Sequence, residues 1–210
     1  MAFNRKKMIL EQAVNMFFNY GIQHITMDDI AEKCGVSKKT IYKYFENKDD
    51  LLRQVIELQI KELKKEIFEN KQISENALQE LILFFDYINK LSFNVSASFG
   101  RELKKYYPTI FLDVVKHKNT IVIPFLIENI KIGKLEGVYK KDINAEEICE
   151  SFNDISKIIF LDGFFYNPGT NQNTLKFLNS LFLHRLVSVK GLETLNMFNK
   201  NPLKKHIKNH

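Results

Sequence analysis

The segment GVSKKTIYKYFENKDDLL, residues 35–52, carries the strongest indication of how this chain folds. It predicts a short helix that opens at Ser37, with two lysines, Lys38 and Lys39, just inside the first turn. A helix N-terminus carries partial positive charge, so each cation placed there costs roughly 0.3–1 kcal/mol. An anion outside the helix would explain why both lysines stand at this position.

The preceding residues extend this helix into a helix-turn-helix motif, residues 26–45. A first helix begins at Thr26, with Asp29 three residues on in a capping-box-like pattern. It runs to a tight turn at Gly35, and the second helix covers about 37–44. The apolar side chains of the motif are spaced so that they turn inward: Ile30, Val36, Ile41 and Phe45.

The outer face of the second helix is polar and basic. With Ile41 on the buried side, Lys39, Tyr42 and Lys43 point away from it, with Thr40 beside them. In such a motif the second helix enters the DNA major groove, where lysines gain binding energy by releasing counterions. Any one of these residues could be ordinary surface, but the whole set favours a DNA-reading face.

The rest of the chain also reads as helical, because long segments repeat apolar residues every 3.6 positions and only 8 Gly and 4 Pro occur in 210 residues. The prediction is an all-α protein, with a loop from Gly133 to Asp142. The predicted helices cover residues 4–20, 26–34, 37–44, 47–70, 74–93, 96–106, 109–131, 144–166 and 171–198.

Composition narrows the class of protein. Hydrophobic residues make up 45% of the chain, enough for a real core, and the net charge is +6 with a pI of about 9.1, which favours a polyanionic partner. The first 50 residues hold eight Lys/Arg and seven Asp/Glu, so a DNA face would come from placement and not from bulk charge.

Two cysteines make no disulfide framework, and no apolar run approaches the ~20 residues of a membrane span. We therefore expect a cytoplasmic protein with no membrane partner. The chain has no Gly-rich phosphate loop and no nucleophile motif, and its histidines lack the spacing of metal ligands. We expect no enzyme activity, no metal and no cofactor. The scattered histidines are residues 24, 117, 184, 206 and 210.

The run ITMDDIAEKCGVSKKTIYKYFENKDDLL, residues 25–52, closely resembles the N-terminal signature of TetR-family (TetR/AcrR-type) transcriptional regulators. The helix ahead of it also fits, with its Ala13, Phe17 and Gly21, and so does an all-helical chain of about this length. The resemblance is specific over about residues 5–55 and is an outline beyond them.

This resemblance implies an N-terminal three-helix helix-turn-helix DNA-binding domain, residues 1–47, followed by a C-terminal helical bundle for effector binding and dimerisation, residues 48–210. It implies that Thr26 contacts phosphate with its hydroxyl and backbone N–H, and that Tyr42 packs over the DNA backbone. Many members carry His where Tyr44 stands. The implied contacts with double-stranded DNA are Thr26, Ser37, Lys38, Lys39, Thr40, Tyr42, Lys43, Tyr44 and Lys48.

Phenylalanines are abundant in the C-terminal two-thirds. Bundle core is the simple interpretation of each, but the resemblance implies an effector between the central helices, in a mostly apolar pocket. Arg101, Glu102 and Glu128 are candidate polar anchors, with solvated surface as the alternative. The candidate pocket walls are Phe84, Phe85, Ile88, Phe99, Leu103, Phe111, Phe125, Phe152 and Phe160.

The resemblance further implies a homodimer through helices 144–166 and 171–198. Two-fold symmetry then predicts a pseudo-palindromic operator with half-sites roughly 34–36 Å apart or a multiple of that. The leading hypothesis is a homodimeric repressor released by an unknown small apolar or amphipathic effector. The alternatives are a DNA-binding protein with no small-molecule effector, either protein-regulated or architectural, and a helical carrier or enzyme for apolar ligands with a vestigial DNA module.

Overall fold

The computed structural model describes residues 2–93, 95–160 and 168–200 of the chain. Within these ranges it consists of eleven α-helices and one π-helical segment, Lys118–Val122, which confirms the all-α fold class. The helices are α1 Ala2–Tyr20, α2 Met27–Lys33, α3 Lys38–Tyr42, α4 Lys48–Ile73, α5 Ala77–Phe93, α6 Ala97–Tyr106, α7 Pro108–His117, α8 Ile123–Leu135, α9 Ala145–Phe160, α10 Pro168–Leu186 and α11 Val189–Lys200.

Local sequence signals set the ends of the first three helices. Gly21 follows α1 with φ +82, and Gly35 takes φ +63 in the turn between α2 and α3, both in the left-handed region that glycine adopts without strain. Thr26 caps α2 and Ser37 caps α3, each accepting a hydrogen bond from the backbone N–H three residues on. These caps and glycines therefore fix where the short helices begin and where the turns fall.

An N-terminal core joins α1, α2 and α3 to the first turns of α4. Phe99 and Leu103 of α6 and Ile110 of α7 complete it, so helices far along the chain close this core. A small three-helix unit alone would leave part of this apolar surface in water. Its fully buried members are Ile9, Ala13, Phe17, Ile22, Ile30, Ile41, Leu51, Leu52 and Val55.

A second core surrounds α5, which packs against α4, α8, α10 and α11. It contains a satisfied polar network: the Asn129 amide donates to Glu80 Oε2 at 2.8 Å and to the Ala77 carbonyl at 2.8 Å, and the Tyr139 hydroxyl donates to Asn129 Oδ1 at 2.9 Å. Because these groups are paired, their burial is tolerated, and they hold the start of α5 against α8.

The predicted single helix 109–131 is interrupted by the π-helical segment. Pro124 at the start of α8 has no N–H, and its ring would crowd the carbonyl of Thr120 in a regular helix. The chain widens instead, and the backbone N–H of Ile123 donates to the carbonyl of Lys118, five residues back. The widened turn changes the helix register, so that α7 faces the N-terminal core and α8 faces the second core.

The prediction of a single helix over residues 171–198 is wrong, because the chain forms two helices there, α10 and α11, separated at Val187–Ser188. Between them it forms an antiparallel bridge with the segment after α8. The Lys140 N–H donates to the Leu186 carbonyl and the Ser188 N–H donates to the Val138 carbonyl, each at 3.0 Å. These hydrogen bonds to another segment replace the helical ones, and Ser188 then caps α11.

Other helix boundaries also differ from expectation: α4 runs to Ile73 and not to residue 70, and α5 begins at Ala77 and not at residue 74. Gly133 was expected in a loop, but it lies within α8, where the ring of Tyr139 covers it. The predicted helix 144–166 is described as α9 up to Phe160, and residues 161–166 lie outside the described residues. Across the described chain, no helix is both long and apolar enough to cross a membrane.

Candidate DNA interface and apolar cavity

The start of α2 is held by a reciprocal cap. The backbone N–H and the hydroxyl of Thr26 both donate to Asp29 Oδ2, each at 2.7 Å, and the Asp29 N–H donates back to Thr26 Oγ1 at 3.1 Å. These hydrogen bonds lower the pKa of the Asp29 carboxyl. The two donors expected to contact phosphate are thus occupied by Asp29, and a phosphate would have to compete with it.

The start of α3 carries a second cap. Ser37 Oγ accepts the Thr40 N–H at 3.2 Å, and the hydroxyls of Ser37 and Thr40 lie 2.9 Å apart. Ser37 is exposed and Thr40 is partly so. Because a hydroxyl both donates and accepts, this pair retains hydrogen-bonding capacity towards a partner outside the protein.

The two lysines at the start of α3 differ in their surroundings. Lys38 Nζ lies 2.8 Å from Asp28 Oδ2 on α2, and this hydrogen bond and ion pair raise the pKa of Lys38. The helix-start cation is therefore compensated within the protein, which sequence reasoning missed. Lys39 is exposed, and no carboxylate of the described residues forms an ion pair with it.

The remaining predicted contacts lie at and beyond the end of α3, which is shorter than the predicted 37–44. Tyr42 is 45% exposed and Lys43 is exposed just past the last turn. Tyr44 is half-buried against the N-terminal core, with its ring 6.4 Å from that of Phe45. Lys48, at the start of α4, is also half-buried, and burial lowers its pKa. Tyr44 and Lys48 therefore present less surface than Tyr42 and Lys43.

A cavity of about 290 Å³ lies between the two cores, walled mainly by α4, α5, α6, α7, α9 and α10. Seven of the nine predicted wall residues line it: Phe84, Phe85, Ile88, Phe99, Leu103, Phe111 and Phe152.

Two predicted wall residues are not among those lining residues. Phe125 is not part of the wall, because its ring packs against the ring of Phe84 at a centroid distance of 4.9 Å, within the second core. The side chain of Phe160 lies outside the described residues.

The three candidate polar anchors do not line the cavity. Arg101 is exposed, and Glu128 is exposed with its carboxylate 3.8 Å from Lys131 Nζ. Glu102 instead accepts the backbone N–H groups of Ile22, at 2.5 Å, and Gln23, at 2.8 Å. The polar wall residues that sequence reasoning missed are Gln59, His117, Lys118, Ser156, Lys157 and Asn179.

The cavity reaches the N-terminal helices directly. Phe18 of α1 lines it, and its ring meets that of Phe99 edge-on at 4.8 Å. The Ser96 N–H donates to the Phe18 carbonyl at 2.6 Å, at the start of α6. Because Glu102 on the same helix holds the turn between α1 and α2, α6 connects the cavity wall to the unit that carries α3.

In the described part of the chain, no group of three or more His, Cys, Asp or Glu side chains is placed to hold a metal ion. The arrangement instead combines two features. Exposed cations and hydroxyls lie at the starts of α2 and α3 and at the end of α3, and groups of these kinds are suited to phosphates and base edges. An apolar cavity lies behind them, of a size and lining that suit a small molecule.

A helix-turn-helix unit joined to a helical bundle with an apolar cavity is typical of DNA-binding regulators of the one-component type. Residues 9–55 match the model of the bacterial regulatory proteins of the tetR family. The chain belongs to the TetR family of transcriptional regulators, and it is a DNA-binding regulator and not an enzyme.

Relatives of known sequence agree with this assignment. The chain is 30% identical over 126 residues to the HTH-type transcriptional regulator SAR2658 of Staphylococcus aureus, a match that covers 51% of this chain and 67% of that protein. It is 32% identical over 95 residues to the uncharacterized HTH-type transcriptional regulator YhgD of Bacillus subtilis, covering 45% of this chain and 46% of the relative. This second match thus spans less than half of the relative's length.

A solved structure shows the same fold. The ketosteroid transcriptional regulator KstR2 of Mycobacterium tuberculosis superposes with a TM-score of 0.61 at 18% identity, and the match covers 88% of this chain and 95% of that one. At this identity the likeness concerns the arrangement of helices in both halves of the molecule.

Proposed function

We propose that this protein is a cytoplasmic homodimeric repressor that a small apolar or amphipathic effector releases from its operator. The observation that carries the proposal is the position of Phe18, because a DNA-domain residue lines the cavity. A molecule that fills the cavity therefore contacts the DNA-reading unit itself. The presence of a cavity also argues against a DNA-binding protein without an effector, which a filled core would have favoured.

Helix α6 is the proposed connection between ligand and DNA. It presents Phe99 and Leu103 to the cavity and Glu102 to the turn after α1. A ligand that displaces α6 would displace that turn and the α2–α3 unit behind it. For such a shift to lower operator affinity, the ligand must bind the displaced arrangement more tightly than the DNA-bound one.

The proposed domain division places the DNA-binding domain at residues 1–47 and the effector and dimerisation domain at residues 48–210. Tyr42, Lys39 and Lys43 are all exposed, and we assign the largest share of DNA binding to them. Lys38 is available once Asp28 gives way to a phosphate. The full proposed set remains Thr26, Ser37, Lys38, Lys39, Thr40, Tyr42, Lys43, Tyr44 and Lys48.

We propose that two copies associate through α9 and the α10–α11 pair. Phe177 and Leu181 of α10 lie one helical turn apart and are 60% and 52% exposed, so they form an apolar strip on the outer side of this helix. A second copy related by a two-fold axis would cover them. The two α3 helices would then face a pseudo-palindromic operator.

The test begins with the operator. Duplexes would be selected from genomic fragments, starting with DNA upstream of the protein's own gene, and titrated with the full-length protein at 50 and 200 mM salt. We expect a two-fold symmetric footprint and an affinity that falls roughly 10³-fold or more between the two salt concentrations. Binding no tighter than to scrambled duplexes would contradict the proposal.

Removing exposed contacts should weaken DNA binding without loss of stability. Lys39→Ala should reduce operator affinity and lower the salt slope by about one unit, because one phosphate or base contact is lost. Tyr42→Ala should weaken operator binding about equally for all sequences, because a contact with the DNA backbone is lost. Thermal melts should show at most a small loss of stability, and a loss as large as that of a fully buried side chain in either variant would contradict this placement.

Filling the cavity from within should imitate the effector. Val115 of α7 lines the cavity, so Val115→Trp places an indole in the space that a ligand would occupy. We expect operator affinity to fall by about 5- to 150-fold, the usual range of allosteric coupling. Leu112→Trp is the matched control, because Leu112 lies on the same helix but is 63% exposed. If both variants bind the operator equally, cavity occupancy does not control DNA binding.

A further inference from the structure

The wall of the cavity is mostly apolar, but two pairs of polar residues in it lie near each other. His117 and Lys118 stand where α7 passes into the π-helical segment, and Ser156 and Lys157 follow each other on α9. Lys118 and Lys157 are close enough to interact electrostatically. The two helices therefore bring two ammonium groups and an imidazole to one region of the wall.

Lys118 differs from an ordinary surface lysine. It is half-buried, and burial, followed by the nearby charge of Lys157, lowers its pKa. Lys157 has a carboxylate of its own, since its Nζ lies 3.1 Å from Asp154 Oδ1. Over the described ranges, no carboxylate forms an ion pair with Lys118. An anion beside Lys118 would relieve both unfavourable effects.

The backbone at this point is also unusual. The π-helical segment begins at Lys118 and ends at Val122, and both residues line the cavity. In a regular helix, residues four apart stack on one face, but the widened turn alters how they project. Insertions of this kind occur frequently at functional sites, and this one places a cation in an otherwise apolar wall.

We propose that the effector is an amphipathic anion, with its apolar chain among the phenylalanine rings of α5, α6 and α9 and its acidic head against Lys118, beside His117 and Lys157. The inference rests on the proposed function, because it takes the same cavity as the effector site. A carboxylate and a phosphate monoester share the chemistry that this basic region would recognise. A cationic amphiphile is disfavoured, since it would bring like charges together.

The experiment compares ligands that share one chain and differ in their head: decanoate, decyl phosphate, 1-decanol and decylamine. Binding to the full-length protein would be measured by calorimetry below the micelle concentrations. We expect decanoate, decyl phosphate or both to bind at least about tenfold more tightly than decanol, because a hydrogen bond between charged groups contributes that much binding free energy. We expect decylamine to bind more weakly than decanol. The tighter of the two anions identifies the head group.

A charge-removing variant tests Lys118 itself. Lys118→Met should reduce anion affinity by about tenfold and leave decanol affinity within about twofold. Lys116→Met is the matched control, because Lys116 lies two residues earlier, is exposed and is not part of the wall. Decanol binding as tightly as both anions would overturn the proposal, and so would an unchanged anion affinity in Lys118→Met.

Operator binding in the presence of each ligand separates this inference from the proposed function. If decanol and decanoate release the operator equally well, the repressor proposal stands and the preference for an anion is wrong. If an anion binds selectively through Lys118 but leaves operator affinity unchanged, the anion site stands and the proposed release mechanism is wrong. Selective binding together with release would support both.

Discussion

Replacing Ile41 with alanine should lower the free energy of unfolding by about 2–5 kcal/mol. Ile41 is fully buried and is the buried residue of α3, a helix of five residues. A helix this short does not persist in water on its own, so the packing of this side chain keeps α3 in place. Urea unfolding followed by circular dichroism would measure the loss.

Tyr42→Ala is the matched control for Ile41→Ala. It removes a larger side chain from the next position of the same helix, but Tyr42 is 45% exposed. We expect its effect on the free energy of unfolding to be smaller than that of Ile41→Ala, because nearly half of the Tyr42 side chain stays in water in the folded protein. If the two variants lost equal stability, the orientation of α3 described here would be wrong.

Gly133→Ala should lower the free energy of unfolding by about 1–3 kcal/mol, although alanine is the better helix former by about 1 kcal/mol. An added Cβ would overlap the ring of Tyr139, whose Cγ would lie 2.9 Å away. The ring has little room to move, because its hydroxyl is hydrogen-bonded to Asn129 and Ala77. Steric overlap and loss of this network therefore outweigh the gain in helix propensity.

A double-mutant cycle would test this cause. In a Tyr139→Leu background the ring is absent, so Gly133→Ala should cost far less than in the parent protein. Leu135→Ala is the control on the same helix, since Leu135 is 82% exposed and should be close to neutral. An equal cost of Gly133→Ala in both backgrounds would mean that the overlap with Tyr139 is not its cause.

The helix-turn-helix could be predicted from sequence because its determinants are local. Thr26 and Asp29 are three residues apart, and Gly35 takes the backbone conformation that the turn requires. The break between α10 and α11 could not, since neither Gly nor Pro marks Val187–Ser188 and the cause is pairing with a distant segment. Pro124 indicates an interruption near the π-helical segment, but the apolar periodicity on both sides of it predicts one continuous helix.

The candidate sites divide in the same way. The exposure of Lys39 and Tyr42 followed from helical periodicity, whereas the ion pair of Lys38 with Asp28 depends on how two helices cross. Most of the predicted aromatic wall lines the cavity, but Phe18 belongs to a helix that appeared to serve the N-terminal core alone. Nothing in the sequence distinguishes Lys118 from the other lysines, because its position in the cavity wall depends on how α7 packs against its neighbours.

The closure of the N-terminal core by α6 and α7 has a consequence for how the chain can be divided. A fragment ending at residue 47 would lose Leu51 and Leu52 of α4, as well as Phe99 and Ile110, and would expose the surfaces that they cover. A folded DNA-reading unit should therefore require α6, α7 and the first turns of α4 in addition to residues 1–47. Chimeras of two such proteins in which only the first 47 residues are exchanged should be insoluble. Chimeras in which α6 and α7 are exchanged together with the DNA-binding segment should fold.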